Sequence, residues 1–361
     1  MDSDTAFQVN YSALDRLIHR IAFSSPLVQL TAADIERTLF GSDYASVNPA
    51  RPIFVTSLPR AGTTVILEAL YCFPFLATHL YRDMPFVLSP VIWSRLTGRF
   101  QKGAELRERA HGDGVQVGYD SPEAFEEIYW RAFWPEKYAS ARIELWTAED
   151  GKDDAKAFFV EHMKKIIALR RPGRERDGRY FSKNNGNMAR LNLIGRMFPD
   201  AKILIPIRRP IDHAASLLRQ HRNFIGMQKT DRFIGRYMAD IGHYEFGSLH
   251  RPIAFPGLDA LISGRDPLTV DYWIAYWIAA FEHVLSRRDA VILVSYEDLC
   301  DNPRRVLSDI CDRLNIADRD ALGRAAALFK TPPRTQSAHE AILDSRLRDR
   351  AEELCKTLLA V

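Results

Sequence analysis

The chain has 361 residues, of which 47% are hydrophobic and 26% are charged, and it carries a net charge of +3. This composition supports one large α/β domain or two smaller ones, excludes a disordered chain and gives no sign of a nucleic-acid partner. The four cysteines show neither metal-ligand spacing nor a disulfide pattern, which favours a reducing compartment. With no signal peptide and no unbroken apolar stretch long enough to span a membrane, we expect a cytoplasmic protein.

Helical and extended patterns alternate along the chain. Two amphipathic helices are predicted between residues 11 and 39, with Thr31 as a cap for the second. Four short segments predict strands: the apolar run PIFVTSL (52–58), which is typical of a buried parallel strand, then GRYFSKNN (178–185), AKILIPI (201–207) and AVILVSY (290–296). Helical patterns follow these runs, and residues 225–270 are the least regular part of the chain. The alternation predicts an α/β fold with a central parallel β-sheet flanked by helices.

The first predicted strand runs into a turn that almost matches a nucleotide-binding P-loop. A P-loop reads G-x-x-x-x-G-K-[ST], whereas residues 57–64 read SLPRAGTT. Thr63 replaces the lysine, and Arg60 places a cation two residues before Gly62. A helix that begins at such a turn presents N–H groups and a positive dipole, which suit phosphate or sulfate oxygens. An ordinary turn with capping threonines is the alternative, but an arginine directly after an apolar strand favours an anion site.

A second candidate anion site follows the third predicted strand. Arg208 and Arg209 leave the strand, Asp212 is expected to cap the next helix, and Ser216 lies one turn inside it. A plain basic loop is the alternative for this motif taken alone. Ligands of parallel sheets bind at the carboxyl ends of the strands, so we expect both anion sites to lie at one edge.

Together these motifs resemble the PAPS-dependent sulfotransferases, in which 3′-phosphoadenosine 5′-phosphosulfate (PAPS) donates a sulfuryl group. The family's loop P-[KR]-[SAG]-G-T-T is matched by residues 59–64, its R-x-P-x-D-x-x-x-S motif by residues 208–216, and its strand-end Y-E-D-L motif by residues 296–299. The resemblance implies a P-loop-like three-layer α/β fold with helical insertions. The donor-binding residues that it implies are Arg60, Ala61, Gly62, Thr63, Thr64, Arg208, Ser216 and Tyr296, the last against the adenine.

The resemblance also implies a role in catalysis for Arg60. Sulfuryl transfer builds negative charge on the oxygen that bridges phosphate and sulfate, and a cation aimed at that oxygen lowers the barrier. No metal is required for this chemistry. The chain departs from the cytosolic enzymes at Val65, where they have tryptophan, and at residues 183–185, where their K-T-H motif becomes Lys-Asn-Asn. Asparagine cannot take a proton, so the general base must lie elsewhere.

Two carboxylates are candidates for the general base. Glu127, in the segment DSPEAFEEIYWRAFW, resembles the glutamate of glycosaminoglycan sulfotransferases, although the acidic first turn of a helix is an equal alternative. Asp83, in YRDMPF, stands near the place where the tyrosyl-protein enzymes carry a glutamate, although a pair with Arg82 is the alternative. His111 is a third and weaker candidate.

No repeat or linker divides the chain, so we predict a single domain over residues 1–361, with N-terminal helices in residues 1–50. Segments 74–178 and 225–270 are expected to be insertions that form the acceptor site. The aromatic residues of the first segment suit stacking on sugars, and also suit a core. We expect a bacterial enzyme that sulfates a glycan, a glycolipid precursor or a metabolite, with protein tyrosine as a further option. Peripheral contact with a membrane is compatible with this, and oligomeric state is not indicated.

Two other functions are compatible with parts of the sequence. A P-loop kinase that acts on a small molecule is one, but the lysine after Gly62 and a strand that ends in an acidic residue are both missing. A non-catalytic protein of the sulfotransferase fold, which binds the nucleotide or a glycan without turnover, is the other.

Overall fold

A five-stranded parallel sheet forms the centre of the fold. The computed structural model describes residues 13–97, 107–108, 116–117, 120–230, 232–330 and 344–360. Their strands are β1 (Ile53–Val55), β2 (Leu76–Ala77), β3 (Arg107–Glu108), β4 (Gln116–Val117), β5 (Arg179–Lys183), β6 (Lys202–Ile207) and β7 (Ile292–Ser295). Five of them pair in the order β2-β5-β1-β6-β7, while β3 and β4 form a separate antiparallel pair. The predicted α/β class and its four strands are confirmed.

Helices flank the sheet, and further helices lie near both ends of the chain. They are α1 (Ala13–Ala22), α2 (Pro26–Phe40), α3 (Thr63–Tyr71), α4 (Pro90–Thr97), α5 (Glu127–Phe133), α6 (Asp153–Arg170), α7 (Leu191–Met197), α8 (Pro210–Thr230), α9 (Arg232–Asp240), α10 (Leu258–Ile262), α11 (Val270–Leu285), α12 (Tyr296–Asp301), α13 (Pro303–Arg313), α14 (Leu322–Ala326) and α15 (Ser345–Leu359). Within the described ranges, none of them combines the length and the apolar character needed to cross a membrane.

Two details of the helix prediction are wrong. The N-cap of the second helix is Ser25 rather than Thr31, so the helix begins at Pro26. The Ser25 side chain accepts a hydrogen bond from the N–H of Leu27, and proline is favoured at the first helical position. In addition, the segment predicted to be irregular from residue 225 begins with helix, since α8 and α9 continue to Asp240 with only residue 231 undescribed between them.

The sheet separates two hydrophobic cores. Along β1, Phe54 packs into the larger core, while Ile53 and Val55 pack into the smaller one. Helices α6, α8 and α11 cover the first face, and α3, α13 and α14 cover the second. Because both faces are buried, β1 and most of β6 read as continuous apolar runs rather than as alternating ones.

The pairing register brings four strand ends to one edge. Val55, the last residue of β1, pairs with Lys183 at the end of β5 and with Leu204 of β6. Ile207 at the end of β6 pairs with Ser295 at the end of β7. The residues that follow these four strands therefore share the carboxyl edge of the sheet, where ligands of open parallel sheets bind.

Candidate active site

The loop between β1 and α3 contains two residues in the left-handed backbone region. Arg60 has a φ of 71° and Gly62 a φ of 87°. Glycine adopts this region readily, but a long side chain rarely does, and such outliers cluster at functional sites. Helix α3 begins at Thr63, directly after the turn, so its first N–H groups and Arg60 belong to one short segment. This is the arrangement that binds anions at helix N-termini.

A buried histidine of α8 fixes this loop. The Nε2 atom of His213 lies 2.7 Å from the carbonyl oxygen of Pro59. Burial, reinforced by the nearby Arg208, lowers the pKa of His213 to about 3. The ring is therefore neutral at pH 7, and Nε2 must carry its proton because a carbonyl oxygen only accepts. The sequence prediction missed this residue, although it directly follows Asp212 in the first turn of the helix.

Contacts of three arginines join the two predicted anion sites. Arg208 Nη1 donates to the carbonyl oxygen of Arg60 at 2.9 Å. Arg60 Nε and Arg219 Nη2 each lie 3.5 Å from Ser216 Oγ. Arg60, Arg208 and Arg219, called here the arginine cluster, place several donors and positive charges in one region, which favours a phosphate or sulfate ligand. Sequence analysis predicted the first two and missed Arg219.

The second arginine of the Arg-Arg pair has a different role. Arg209 Nη2 lies 2.9 Å from Asp212 Oδ2, and the backbone N–H of Arg209 donates to Glu297 Oε1 at 3.0 Å. Asp212 lies in the first turn of α8, where a carboxylate also complements the helix dipole. These two carboxylates balance the charge of Arg209, whereas Arg208 joins the arginine cluster.

Tyr296 packs directly on the glycine of the loop. It follows β7, and its ring is so close to Gly62 that a Cβ atom at that position would lie 2.3 Å from two ring carbons. The Arg208 guanidinium lies 5.6 Å from the centre of the same ring. Burial is the main reason why the pKa of Tyr296 rises to about 12, so its hydroxyl stays protonated. The tyrosine that the resemblance assigns to the adenine thus borders both predicted anion sites.

A cavity opens beside the loop, at the ends of β1 and β5. The lining of this strand-edge cavity includes the polar residues Glu127, Lys183, Asn184, Asn185, His243, Glu245 and Arg251, and the apolar or aromatic residues Pro59, Ile143, Tyr244, Phe246, Ile253, Trp273 and Tyr276. Residues from both predicted insertions therefore contribute to its wall. The sequence prediction missed His243 and Glu245, because the segment that carries them has no recognisable motif.

Glu127 lies in this wall, but its carboxylate is held by four donors. Arg190 Nη1 and Nη2 each bond one of its oxygens at 2.8 Å, Asn184 Nδ2 donates at 2.7 Å, and the Tyr138 hydroxyl also donates. Burial alone would raise the pKa of Glu127, but Arg190 and the hydrogen bonds outweigh it and hold the pKa below its usual value. A carboxylate with these contacts is a poor proton acceptor, which counts against the role predicted for it.

The Arg190 side chain is itself enclosed by aromatic rings. Its guanidinium lies 4.7 Å from the ring centre of Trp130 and 4.4 Å from that of Trp146. Trp130, like Tyr129 and Trp134, is almost fully buried. These aromatic residues of α5 and its C-terminal end therefore belong to the core and do not offer a surface for stacking on a sugar. A core role was the alternative prediction for them.

Asp83 is buried away from the strand-edge cavity. It pairs with Arg170, accepts the backbone N–H of Leu80 at 2.9 Å, and has His79 Nδ1 at 3.3 Å. Burial opposes ionisation, but Arg170 and His79 prevail and lower the pKa of Asp83 strongly. Neither this position nor these contacts suit a general base, and Arg82 pairs with Asp120 rather than with Asp83. His111 lies outside the described residues.

The fold and the site define an α/β protein with an arginine cluster at the carboxyl edge of a parallel sheet. Among the described residues, no cluster of three or more histidine, cysteine or acidic side chains could hold a metal ion. A sequence model of the sulfotransferase family matches residues 52–250, more than half of the chain. The chain therefore belongs to the sulfotransferase family.

Solved structures agree with this fold. The chain is similar to sulfotransferase STF9 from Mycobacterium avium, with 14% identity, 98% of this chain and 86% of that chain covered, and a TM-score of 0.52. It is also similar to sulfotransferase STF1 from Mycobacterium tuberculosis H37Rv, with 15% identity, coverage of 97% and 87%, and a TM-score of 0.51. At such identities the likeness shows the fold alone. A search among curated protein sequences gives no match.

Proposed function

We propose that this sulfotransferase takes its sulfuryl group from PAPS and passes it to a hydroxyl acceptor by in-line displacement. The observation that carries the proposal is the arginine cluster. Arg60 and Arg208 are 148 residues apart in sequence, yet Arg208 Nη1 bonds the backbone oxygen of Arg60 at 2.9 Å, and the side chain of Arg60 reaches Ser216. Such a concentration of positive charge suits a donor with two separate anionic groups, as PAPS has at its 3′ and 5′ positions.

The arginine cluster and the hydroxyl residues beside it have separate proposed roles. Arg60, Thr63 and Thr64, with the N–H groups of the first turn of α3, hold the phosphosulfate. Arg60 also stabilises the charge that grows on the bridging oxygen as the S–O bond breaks. Arg208 and Ser216 hold the 3′-phosphate, and Arg219 adds a further donor there. A charge-assisted hydrogen bond of this kind contributes about 1.5–3 kcal/mol.

The acceptor is proposed to enter the strand-edge cavity. The cavity adjoins the loop at Pro59, and its wall contains charged residues as well as the aromatic residues Tyr244, Trp273 and Tyr276. Aromatic surface next to hydrogen-bonding groups suits a sugar hydroxyl in a glycan or glycolipid precursor. The choice of a glycan over another hydroxyl compound rests on this lining and on the resemblance to carbohydrate sulfotransferases.

Calorimetric titration with adenosine 3′,5′-bisphosphate, without Mg²⁺, tests the donor assignment. We expect binding that weakens about 10- to 150-fold in Arg208→Ala, which corresponds to the loss of one charge-assisted contact. Arg209→Ala is the matched control, because the side chain of Arg209 pairs with Asp212 instead. Binding of ATP with Mg²⁺ but not of the bisphosphate would refute the proposal and favour a kinase. Bisphosphate binding without sulfate transfer to any of a broad panel of hydroxyl compounds would favour a non-catalytic binder.

A further inference from the structure

A histidine and a glutamate pair at the wall of the strand-edge cavity. His243 Nδ1 lies 2.7 Å from Glu245 Oε2, and both side chains are mostly but not completely buried. The distance between these two atoms is that of an ion pair. Neither residue belongs to any motif found in the sequence.

The side-chain amide of Asn185 connects this pair to the loop between β1 and α3, called here the donor loop because it is proposed to bind the sulfuryl donor. Thr63 Oγ1 donates to Asn185 Oδ1 at 3.4 Å, and Asn185 Nδ2 donates to Glu245 Oε1 at 3.3 Å. Thr63 is the first residue of α3, next to the turn that carries Arg60. A chain of contacts therefore links the imidazole of His243 to the site proposed for the phosphosulfate. It consists of one ion pair with Glu245 and two hydrogen bonds through Asn185 to Thr63.

The surroundings keep Glu245 ionised and hold the imidazole in place. Burial would raise the pKa of Glu245, but His243 and Lys183 together lower it to about 2. The ring of Phe224 lies against the imidazole, with ring centres 5.9 Å apart and planes 28° from parallel. An ionised carboxylate at Nδ1 favours the tautomer that has its proton on Nδ1 and a lone pair on Nε2.

Charged groups also approach this segment from α5. A Cβ atom added at Gly242 would lie 2.6 Å from Glu127 Cγ and 2.8 Å from Arg131 Cδ, so both side chains pack against the residue before His243. Glu127 is engaged by Arg190, and Arg131 donates to the backbone oxygen of Asp240. Of the carboxylates near the cavity, Glu245 is therefore the one that faces the imidazole.

From this geometry we infer that His243 is the general base of the reaction and that Glu245 is its positioning residue. The inference rests on the proposed sulfuryl transfer. Nε2 of His243 takes the proton of the acceptor hydroxyl, and the acceptor oxygen forms a bond to sulfur. The bond between sulfur and the bridging oxygen breaks, and its electron pair stays on the 5′-phosphate of adenosine 3′,5′-bisphosphate. The imidazolium formed is stabilised by Glu245.

A spectroscopic test needs no acceptor. Two-bond ¹H–¹⁵N correlation spectra of histidine-labelled protein with bound adenosine 3′,5′-bisphosphate report which ring nitrogen carries the proton, and His243→Asn assigns the signal. We expect the neutral ring of His243 to carry its proton on Nδ1, and this preference to be lost in Glu245→Gln. A neutral ring protonated on Nε2, or a tautomer that Glu245→Gln leaves unchanged, would overturn the inference.

Turnover supplies the second test. Transfer from ³⁵S-labelled PAPS to water or to octyl β-glucoside is followed against pH, and we expect a loss of at least about a hundredfold in His243→Asn. Any fall in rate on the acidic side of the pH profile should disappear with it. His19→Asn is the control, since His19 Nε2 makes a comparable contact with Asp240 at 3.0 Å but does not line the cavity. An acid limb that persists in His243→Asn would overturn the inference.

Calorimetry separates the two possible failures. If wild-type protein does not bind the bisphosphate, the proposed donor is wrong and the assignment of a base fails with it. If wild type and His243→Asn bind the bisphosphate equally well, the donor proposal stands, and the tautomer and the pH profile decide the role of His243 alone.

Discussion

The replacement Glu127→Gln distinguishes a structural carboxylate from a catalytic one. In the structure, Glu127 accepts two hydrogen bonds from Arg190, one from Asn184 and one from Tyr138. An amide keeps the size of the side chain but removes its charge and places an NH₂ group against one of the guanidinium donors. Arg190 would then remain as a buried cation between Trp130 and Trp146 without its counter-charge.

The expected cost follows from that buried charge. Removal of one partner from a buried ion pair destabilises a protein by about 3–5 kcal/mol. With an unfolding entropy of about 2.1 cal/mol/K per residue, a chain of 361 residues has an unfolding entropy of about 0.76 kcal/mol/K. We therefore expect the melting temperature to fall by about 4–7 °C, as measured by calorimetry or circular dichroism.

A surface glutamate gives the matched control for this replacement. Glu136 pairs with Lys152 at 3.2 Å, and both side chains are largely exposed. Such a pair contributes at most about 1 kcal/mol, so Glu136→Gln should leave the melting temperature within about 1 °C. Unchanged thermal stability in Glu127→Gln, together with normal bisphosphate binding and abolished turnover, would refute this reasoning and make Glu127 the base.

Three further predictions concern the donor loop and the buried carboxylate. Gly62→Ala adds a Cβ atom 2.3 Å from the Tyr296 ring at a φ of 87°, so bisphosphate affinity should fall at least tenfold in calorimetry, and unchanged affinity would mean that the loop is pliable. Asp83→Asn should destabilise the protein by about 3–5 kcal/mol in urea unfolding while leaving bisphosphate binding intact at low temperature, whereas a selective loss of turnover would restore Asp83 as a catalytic candidate. The pKa of His213 lies near 3, below the ordinary 6.5, so its neutral form contributes stability that is complete above pH 6.5 and is lost as the pH falls towards 3. Below pH 6.5, the unfolding free energy of wild type should therefore drop relative to His213→Gln by up to about 1.4 kcal/mol per pH unit, and parallel curves would contradict the buried neutral ring.

The strands of the sheet could be predicted because the pattern that indicates each of them lies within a short stretch of sequence. Three of the four predicted strands combine an apolar run with a following turn, and burial on both faces explains why the runs of β1 and β6 do not alternate. Strand β2 was not predicted, since Leu76–Ala77 is too short to show any pattern. The irregular composition after residue 225 also concealed α9, whose helix is stabilised by packing rather than by strong propensity.

In the candidate site, too, residues within a sequence motif could be predicted, whereas contacts between residues far apart in the chain could not. Arg60, Arg208 and Ser216 were predicted from motifs in which spacing along one loop fixes the geometry, and the structure brings all three together. The contacts of Glu127 could not be predicted, because Arg190 lies 63 residues further along the chain. Its acidic surroundings in the sequence are equally compatible with a base, a helix cap and a buried ion pair.

The departure from the K-T-H motif gains a physical explanation from Asn185. A histidine at this place would offer one ring nitrogen as acceptor and the other as donor, on opposite sides of a rigid ring. The amide of Asn185 instead accepts from Thr63 through Oδ1 and donates to Glu245 through Nδ2, using adjacent atoms of one short group. Asparagine thus links the donor loop to the carboxylate that faces His243. If His243 is the base, as proposed, the base lies on a different segment, and the position of the motif histidine connects the loop between β1 and α3 to the strand-edge cavity.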